Sequence, residues 1–430
     1  MLKRFARFVS LNILGMIGLS FYILADTYFI SKGIGADGLT SLNLALPVYN
    51  LIYGIGMMTG VGGATLFSIR KAEGKDKTEG NKIFTNVILT LTIFAICFIL
   101  TGLFFSGNIS RLLGANDAVY EMTRIYLKVV LLFSPAFMLN SVIMTFVRND
   151  GAPGLAMAAT LSGSFFNIVM DYILIFPAGL GMLGAVLATG FSPVVGMLVM
   201  SVHFIRKRNS FCLIKTKLSP AILGKVFALG LPSFITELSA GIVIIVFNML
   251  FLKYAGNTGV AAYGVIANIA LVTNAMFNGV AQGSQPLVSE SAGAGNRRDM
   301  KFILFMAVLT VCTIAGLAYL GLFVNKGWVV GVFNSEKNTV LQKIAENGLV
   351  LYFISLPFTG INIVMASFFA ASGSPVPGQI ISSLRGFILA IPVPFVMAVL
   401  FKITGIWLAL PVTEMLTFAV GLVMLNAAKD

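Results

Sequence analysis

Apolar residues fill this chain in long continuous runs separated by short polar connections. Twelve runs are long enough to cross a bilayer, approximately 7–30, 41–67, 83–105, 122–147, 153–176, 181–205, 226–252, 260–288, 302–324, 343–369, 375–398 and 403–427. A spanning helix needs about 20 apolar residues. A spanning strand would instead show about 10 residues of alternating polarity, and these runs are continuous. The pattern predicts an all-α integral membrane protein with twelve transmembrane helices.

The connections carry the charge. An even number of spans puts both termini on one side. Nineteen Lys and Arg fall on that side, nine on the other, and Arg385 lies within a run. By the positive-inside rule both termini are expected in the cytoplasm, and the chain in the plasma (inner) membrane. Residues 206–225 form the longest connection on the terminal side. This basic linker predicts an N-lobe of residues 1–205 and a C-lobe of 226–430. Lys3, Arg4 and Arg7 before an apolar run have the outline of a signal peptide. The run is too long and lacks a small-x-small cleavage site, so it is expected to be a retained first span.

The halves repeat at a shift of 221 residues. Lys32, Gly35 and Gly38 meet Lys253, Gly256 and Gly259, while Gly62, Leu66, Ser68 and Gly74 meet Gly283, Leu287, Ser289 and Gly295. Gly184, Leu187 and Ala188 meet Gly405, Leu408 and Ala409. With one more residue of offset, Pro135, Asn140, Gly151 and Pro153 meet Pro357, Asn362, Gly373 and Pro375. Identity is low, but the matches fall at the same place in each half. Six spans per half makes the repeats parallel, a layout typical of transporters that work by alternating access.

Composition narrows the class further. Hydrophobic residues make up 58% of the 430 and charged residues 10%. A soluble domain has about 25% charged residues, so lipid is the solvent for most of this surface. The net charge of +13 is accounted for by the loops and implies no nucleic-acid partner. Cys97, Cys212 and Cys312 are scattered without CxxC spacing, and His203 is the only histidine. Neither a disulfide framework nor a histidine metal cluster is expected. Walker A, GxSxG and HExxH signatures are absent, and Gly60-Val61-Gly62-Gly63 has no preceding strand. The chain therefore reads as no enzyme, with no cofactor and no ATP drive.

Ionisable residues inside spans cost about 2.5–3.5 kcal/mol on insertion scales and ask for a reason. They are Asp26, Asp171, Glu237, Arg385 and Glu414. Asp26 lies about 6 Å below the outer end of the first span. Asn167 precedes Asp171 by one helical turn, and Ser164 and Thr160 extend that stripe. Thr189 sits at comparable depth in the sixth span. These groups could converge on one site in the N-terminal half. Two carboxylates there would favour a shared proton; with amide and hydroxyl oxygens they could instead hold a dehydrated Na⁺. The plainer reading has Asp26 reach the outer interface and Asp171 cap a helix.

Glu237, Arg385 and Glu414 lie near mid-span. Arg385 and Glu414 are expected to pair, as a structural clasp or a gate. Glu237 could contact a cationic substrate or be neutral. Asn274, Asn278, Gln282 and Gln285 form an amide stripe along span 8. In lipid such a stripe faces protein or a watery cavity, and sequence alone does not separate the two. Pro47, Pro135, Pro357, Pro392, Pro394 and Pro411 are candidate kinks.

Several of these motifs, in this order, resemble the multidrug and toxic compound extrusion (MATE) family. They are Asp26-Thr27, the loop at Gly35, Asn167-x-x-x-Asp171, Gly184-Ala185-Val186-Leu187-Ala188-Thr189 and Gly230-Leu231-Pro232. The segment Gly405–Pro411 with Glu414 also looks like the prokaryotic branch. The resemblance spans essentially the whole chain. It implies two six-helix lobes around a central cleft and exchange of H⁺ or Na⁺ for organic, often cationic, drugs. It places the coupling ion on Asp26, Asn167, Asp171 and Thr189. Another branch uses a glutamate further from the Gly-Leu-Pro start; Glu237, five residues after Pro232, departs from that spacing. A tentative cleft or gating set is then Glu237, Asn274, Asn278, Gln282, Arg385 and Glu414. The expected partners are a small-molecule substrate, an organic cation, and membrane lipid, with the chain acting as a monomer. The competing readings are a lipid-linked oligosaccharide flippase or polysaccharide exporter of the same superfamily, and a non-transporting receptor or scaffold.

Overall fold

The computed structural model describes residues 1–333 and 338–427, and its described regular structure is entirely helical. In chain order the helices are α1 (Leu2–Gly33), α2 (Ala36–Ala72), α3 (Lys77–Leu112), α4 (Tyr120–Leu132), α5 (Ser134–Asn149), α6 (Pro153–Ile175), α7 (Gly181–Ile205), α8 (Pro220–Gly293), α9 (Arg297–Val324), α10 (Lys326–Phe333), α11 (Thr339–Tyr352), α12 (Leu356–Ala371), α13 (Pro375–Ser383) and α14 (Pro392–Ala427). The chain is a multi-pass membrane protein. Below, the face that carries the start of α1 is called the terminal face, and the opposite one the distal face.

By length and composition, nine helices among the described residues can cross a bilayer, and the pair α4–α5, bent by 47°, makes ten. The twelve spans of the hydropathy pattern are reached only by dividing two of these helices. If straight, α8 would be about 110 Å long, far more than a membrane. It reverses at Gly256 (φ 62, ψ −160). Phe247 and Phe251 stack on Tyr263 with ring centroids 5.2 and 5.5 Å apart. Sixteen residues of unbroken helix would separate Phe247 from Tyr263 by about 24 Å, so the chain folds back. In α14 the break is Lys402 (φ 50, ψ −131), and the Met397 carbonyl occupies the space that a Cβ on Gly405 would need. Pro135 and Pro357 open α5 and α12, where a missing N–H costs little. They therefore mark span breaks more than smooth kinks.

The repeat is written in the backbone. Left-handed residues recur at the same shift: Gly35 (φ 88) and Gly256 (φ 62), Gly74 (φ 74) and Gly295 (φ 68), Gly181 (φ 53) and Lys402 (φ 50). With one extra residue, Gly151 (φ 90) meets Gly373 (φ 84). Each sits at a reversal between helices, where an L side chain is disfavoured. Only at Lys402 is the role taken by a residue other than glycine.

Two apolar cores follow the two halves. One draws on residues from Ile30 to Leu229. The other runs from Val246 to Ala409 and takes in Phe5, Phe8 and Val9 from the start of α1. The first turns of α1 therefore pack with the opposite lobe. The connection 206–219 is not a loose tether. Phe211 is buried against Phe67, Phe84 and Phe146. The amides of Cys212, Ile214 and Ser219 donate to Asn81, Thr85 and Asn86 on α3 at 2.8, 3.1 and 2.6 Å. The linker is strapped onto the N-lobe.

Candidate ion and substrate site

Asp26 on α1, Asn167 and Asp171 on α6 and Thr189 on α7 come together in the N-lobe. Helical spacing puts Asn167 and Asp171 on one face of α6, and all four side chains are buried. The carboxyl groups of Asp26 and Asp171 lie within hydrogen-bonding reach of each other. Two carboxyl groups can share such a bond only when one is protonated. Oriented to satisfy its neighbours, the Asn167 amide donates to Asp171 Oδ2 at 3.1 Å and accepts from the Thr189 amide at 3.2 Å. Asp26 Oδ1, Asp171 Oδ1 and Ser164 Oγ have no protein partner. A buried unsatisfied polar atom costs about 1–3 kcal/mol. The two carboxylate oxygens lie in one site, which is able to receive a proton or a small cation, and Ser164 sits two turns away along the same helix. Asp26 is buried, and Asp171 lies four residues inside the end of α6.

Tyrosines complete this site, and the sequence reading passed over them. Tyr126 on α4 is buried, and its hydroxyl is a close neighbour of Thr189, Asp26 and Asp171. Tyr22 precedes Asp26 by one helical turn and meets Tyr49 of α2 at 3.5 Å between hydroxyls. Tyr49 stacks on Tyr53 with centroids 6.2 Å apart and planes within 5°. The Tyr22–Asp26 spacing was available in the sequence; nothing there brings Tyr126 or Tyr49 to the site.

Glu237 comes from the opposite lobe. Its Cβ lies 3.5 Å from where a Cβ on Gly54 would sit. It is an electrostatic neighbour of both Tyr49 and Tyr53. Its carboxylate makes no hydrogen bond among the described residues. From Asp26 to Glu237 the two lobes thus present a chain of acids and aromatic faces. Such a surface attracts a cation both by charge and by the ring quadrupole.

The amide stripe on α8 divides. Gln282 and Gln285 accept from the Arg148 guanidinium at 2.6 and 3.5 Å, and Asn12 of α1 accepts at 3.1 Å. Gln285 also donates to Thr65 of α2 at 2.7 Å. Asn274 and Asn278 are half-buried and make no such bond among the described residues. The lower half of the stripe zips the lobes together; the upper half is free to line the space above. Arg148 corrects the charge count. Sequence position assigns it to a loop, yet it is only 1% exposed and has no carboxylate partner among the described residues. Around it the lobes meet closely. Gly62 and Gly230 pack against the Val226 and Met58 carbonyls, leaving no room for a Cβ. Arg4 and Glu290 pair across the same seam at 2.6 Å. All these contacts lie in the terminal half.

In the C-lobe, Arg385 Nη2 meets Glu414 Oε1 at 2.8 Å, and Arg385 Nε reaches the same oxygen at 3.2 Å. Asn362 donates to Glu414 Oε2 at 2.7 Å. Arg385 sits in a π-helical turn, Leu384–Ile388, whose extra residue re-aims the side chain. Both Glu414 carboxylate oxygens are thus engaged within the C-lobe.

A family model for MatE matches residues 12–173 and 232–396. The chain belongs to the MatE family. It is 28% identical over 411 residues to the multidrug export protein MepA of Staphylococcus saprophyticus, covering 95% of this chain and 90% of that one. MepA of Staphylococcus aureus matches with the same identity and coverage. Among solved structures, an outward-facing multidrug resistance MATE transporter of the MOP superfamily superposes with TM-score 0.92 at 23% identity, over 99% of this chain and 96% of that chain. A MOP superfamily transporter from Pyrococcus furiosus, whose reversed binding-pocket polarity suggests a different function, superposes with TM-score 0.90 at 23% identity, over 98% and 94% of the two chains. The fold is shared between proteins of different pocket polarity, so the site's own chemistry has to decide the cargo.

In this MatE chain the two lobes share a backbone but not a site. Shifted by 221 residues, Asp26, Asn167, Asp171 and Thr189 fall on Phe247, Ile388, Pro392 and Leu410. The equivalents of Glu237, Arg385 and Glu414 are Met16, Ser164 and Pro193. The acidic cluster belongs to the N-lobe alone; the C-lobe carries apolar residues at the equivalent positions, of which Phe247 is buried and Ile388 exposed.

Proposed function

We propose that this protein exports organic cations, drugs among them, by alternating access, in exchange for H⁺ or Na⁺. The single observation that carries the reading is the buried Asp26–Asp171 pair, with two orphaned carboxylate oxygens. It opens through Tyr22 and Tyr49 toward Glu237. Charge on the N-lobe pair is the switch: an ion bound there and a cationic cargo held nearby compete for the same negative charge. The lobes 1–205 and 226–430 are the moving bodies, joined through the strapped linker. The closed seam around Arg148 supports reading this conformer as the one open on the distal face. The excess of Lys and Arg on the terminal face supports placing that face in the cytoplasm. The printed function of the MepA relatives, multidrug export, supports the same reading. The acidic polarity of the site favours cationic cargo over the anionic pyrophosphate of a lipid-linked oligosaccharide.

The test is accumulation of a fluorescent cation such as ethidium in efflux-deficient cells. Wild type is compared with Asp26→Asn and Asp171→Asn at matched membrane expression, with Na⁺ or a protonophore added in turn. Wild type should lower accumulation and both variants should not, and the ion response names the driver. Undiminished efflux by Asp171→Asn would sink the N-lobe assignment.

A further inference from the structure

On the terminal face, away from the cleft, a cavity of about 290 Å³ opens between the start of α1, the start of α6 and the end of α7. Three arginines line it, Arg7 from α1 and Arg206 and Arg208 just beyond α7. All three are exposed, and none has a carboxylate partner among the described residues. The one acid in the wall, Asp150, is already engaged by Lys71 at 2.8 Å, by His203 at 3.0 Å and by the Ser210 amide at 2.8 Å. The cavity therefore keeps its positive charge. Its floor is the first turn of α6. Ala152 caps that helix without a side-chain acceptor, and no acceptor among the described residues engages the Gly154 amide. Amides at a helix start and free guanidinium forks are the donors that recognise a phosphate group.

What lies beside the cavity indicates the source of the phosphate. Ile205, adjacent to Arg206, is 75% exposed, and Leu14, Leu161 and Leu198 on the same three helices are also exposed. The cationic cavity is thus continuous with surface that faces acyl chains. Ordinary loop cations scatter along the membrane edge; these three, one from α1 and two from just beyond the end of α7, converge on one cavity.

We propose that this cavity binds the phosphate headgroup of an anionic phospholipid from the leaflet on the terminal face. The lipid joins α1 to α6 and α7 at the base of the N-lobe. It thereby ties the helix that carries Asp26 to those that carry Asp171 and Thr189. The inference does not depend on which cargo is exported.

Native mass spectrometry of the full chain in detergent tests it, with phosphatidylglycerol, phosphatidylcholine or glycerol 1-phosphate added. One phosphatidylglycerol should be retained at least tenfold more strongly than phosphatidylcholine. The triple variant Arg7→Gln/Arg206→Gln/Arg208→Gln should lose that preference. A triple Arg→Lys variant should retain part of it, because charge remains but the bidentate fork is gone. The control Lys75→Gln/Lys77→Gln/Arg297→Gln removes as much charge from the same face and should change retention less than twofold. Equal loss in that control would reduce the effect to general surface charge and overturn the proposal. So would equal retention of phosphatidylcholine. Binding of glycerol 1-phosphate as strongly as the lipid would assign the cavity to a soluble phosphate ester and overturn the lipid assignment.

Discussion

Arg148 donates to Gln282 at 2.6 Å, and the two residues belong to opposite lobes. A buried guanidinium bound only by amides is a clasp that can let go. Amides, unlike a carboxylate, do not add the Coulomb energy that would make separation prohibitive. Gln282→Leu should remove one acceptor and weaken the closed seam by about 1–3 kcal/mol. In a background lacking Cys97, Cys212 and Cys312, a cysteine replacing Ser289, which is buried in the seam, should then label faster from the terminal face, by tenfold or more. Unchanged labelling would mean the seam is held elsewhere.

Tyr126→Phe removes only a hydroxyl that neighbours Thr189 and the acid pair. Loss of one hydrogen bond is worth about 0.5–1.5 kcal/mol, so efflux should persist with a several-fold higher requirement for the coupling ion. Transport measured against ion concentration separates this shift from a simple drop in maximal rate, which the proposed role does not predict.

Glu237→Gln keeps the size of the side chain and deletes its charge. Export of flat monovalent cations should fall about tenfold, while any neutral substrate should be spared. Equal losses for both kinds of cargo would place Glu237 in the transport cycle and not in cargo recognition.

Glu414→Leu strands a partly buried arginine and should cost up to about 3–5 kcal/mol, read as a fall in thermal stability in detergent. Arg385→Met with Glu414→Leu should recover much of it. The charge swap Arg385→Glu/Glu414→Arg tests orientation, since Asn362 must then accept where it now donates. If both double variants are as unstable as the single one, the pair is not the unit that matters.

Asp150 links stability to pH. Its burial acts to raise the carboxyl, but hydrogen bonds from Lys71, Ser210 and His203 outweigh that and hold it below the usual carboxylate range. A group lowered in the folded state contributes fully above its unfolded value of about 4 and loses that contribution as pH falls through the lowered folded value. Arg7, Arg206 and Arg208 share its cavity and favour the same ionised form. Thermal unfolding from pH 6 down to pH 3 should therefore show a steeper acid decline in wild type than in Asp150→Asn. Parallel curves would remove Asp150 from the account.

Hydropathy by itself determined that the chain spans the membrane, where the runs lie and that the halves repeat. Burial in lipid is a local requirement: every backbone polar group must be satisfied within its own helix, so each run declares itself. Landmark residues such as Gly35 and Gly256 were legible for the same reason, because a left-handed turn admits few residue types. Helical spacing and depth were enough to nominate Asp26, Asn167, Asp171 and Thr189, and their order carried the family resemblance. Tertiary structure alone decided which polar groups meet across helices. It turned Arg148 from a loop charge into the clasp between lobes, split the span 8 amides into bonded and free halves, and brought Tyr126 and Tyr49 to the acids. These contacts join residues more than a hundred positions apart or on helices of unspecified neighbours. No local periodicity encodes them; they follow from how the spans pack, which is settled by close approaches such as Gly62 on Val226 and Gly230 on Met58.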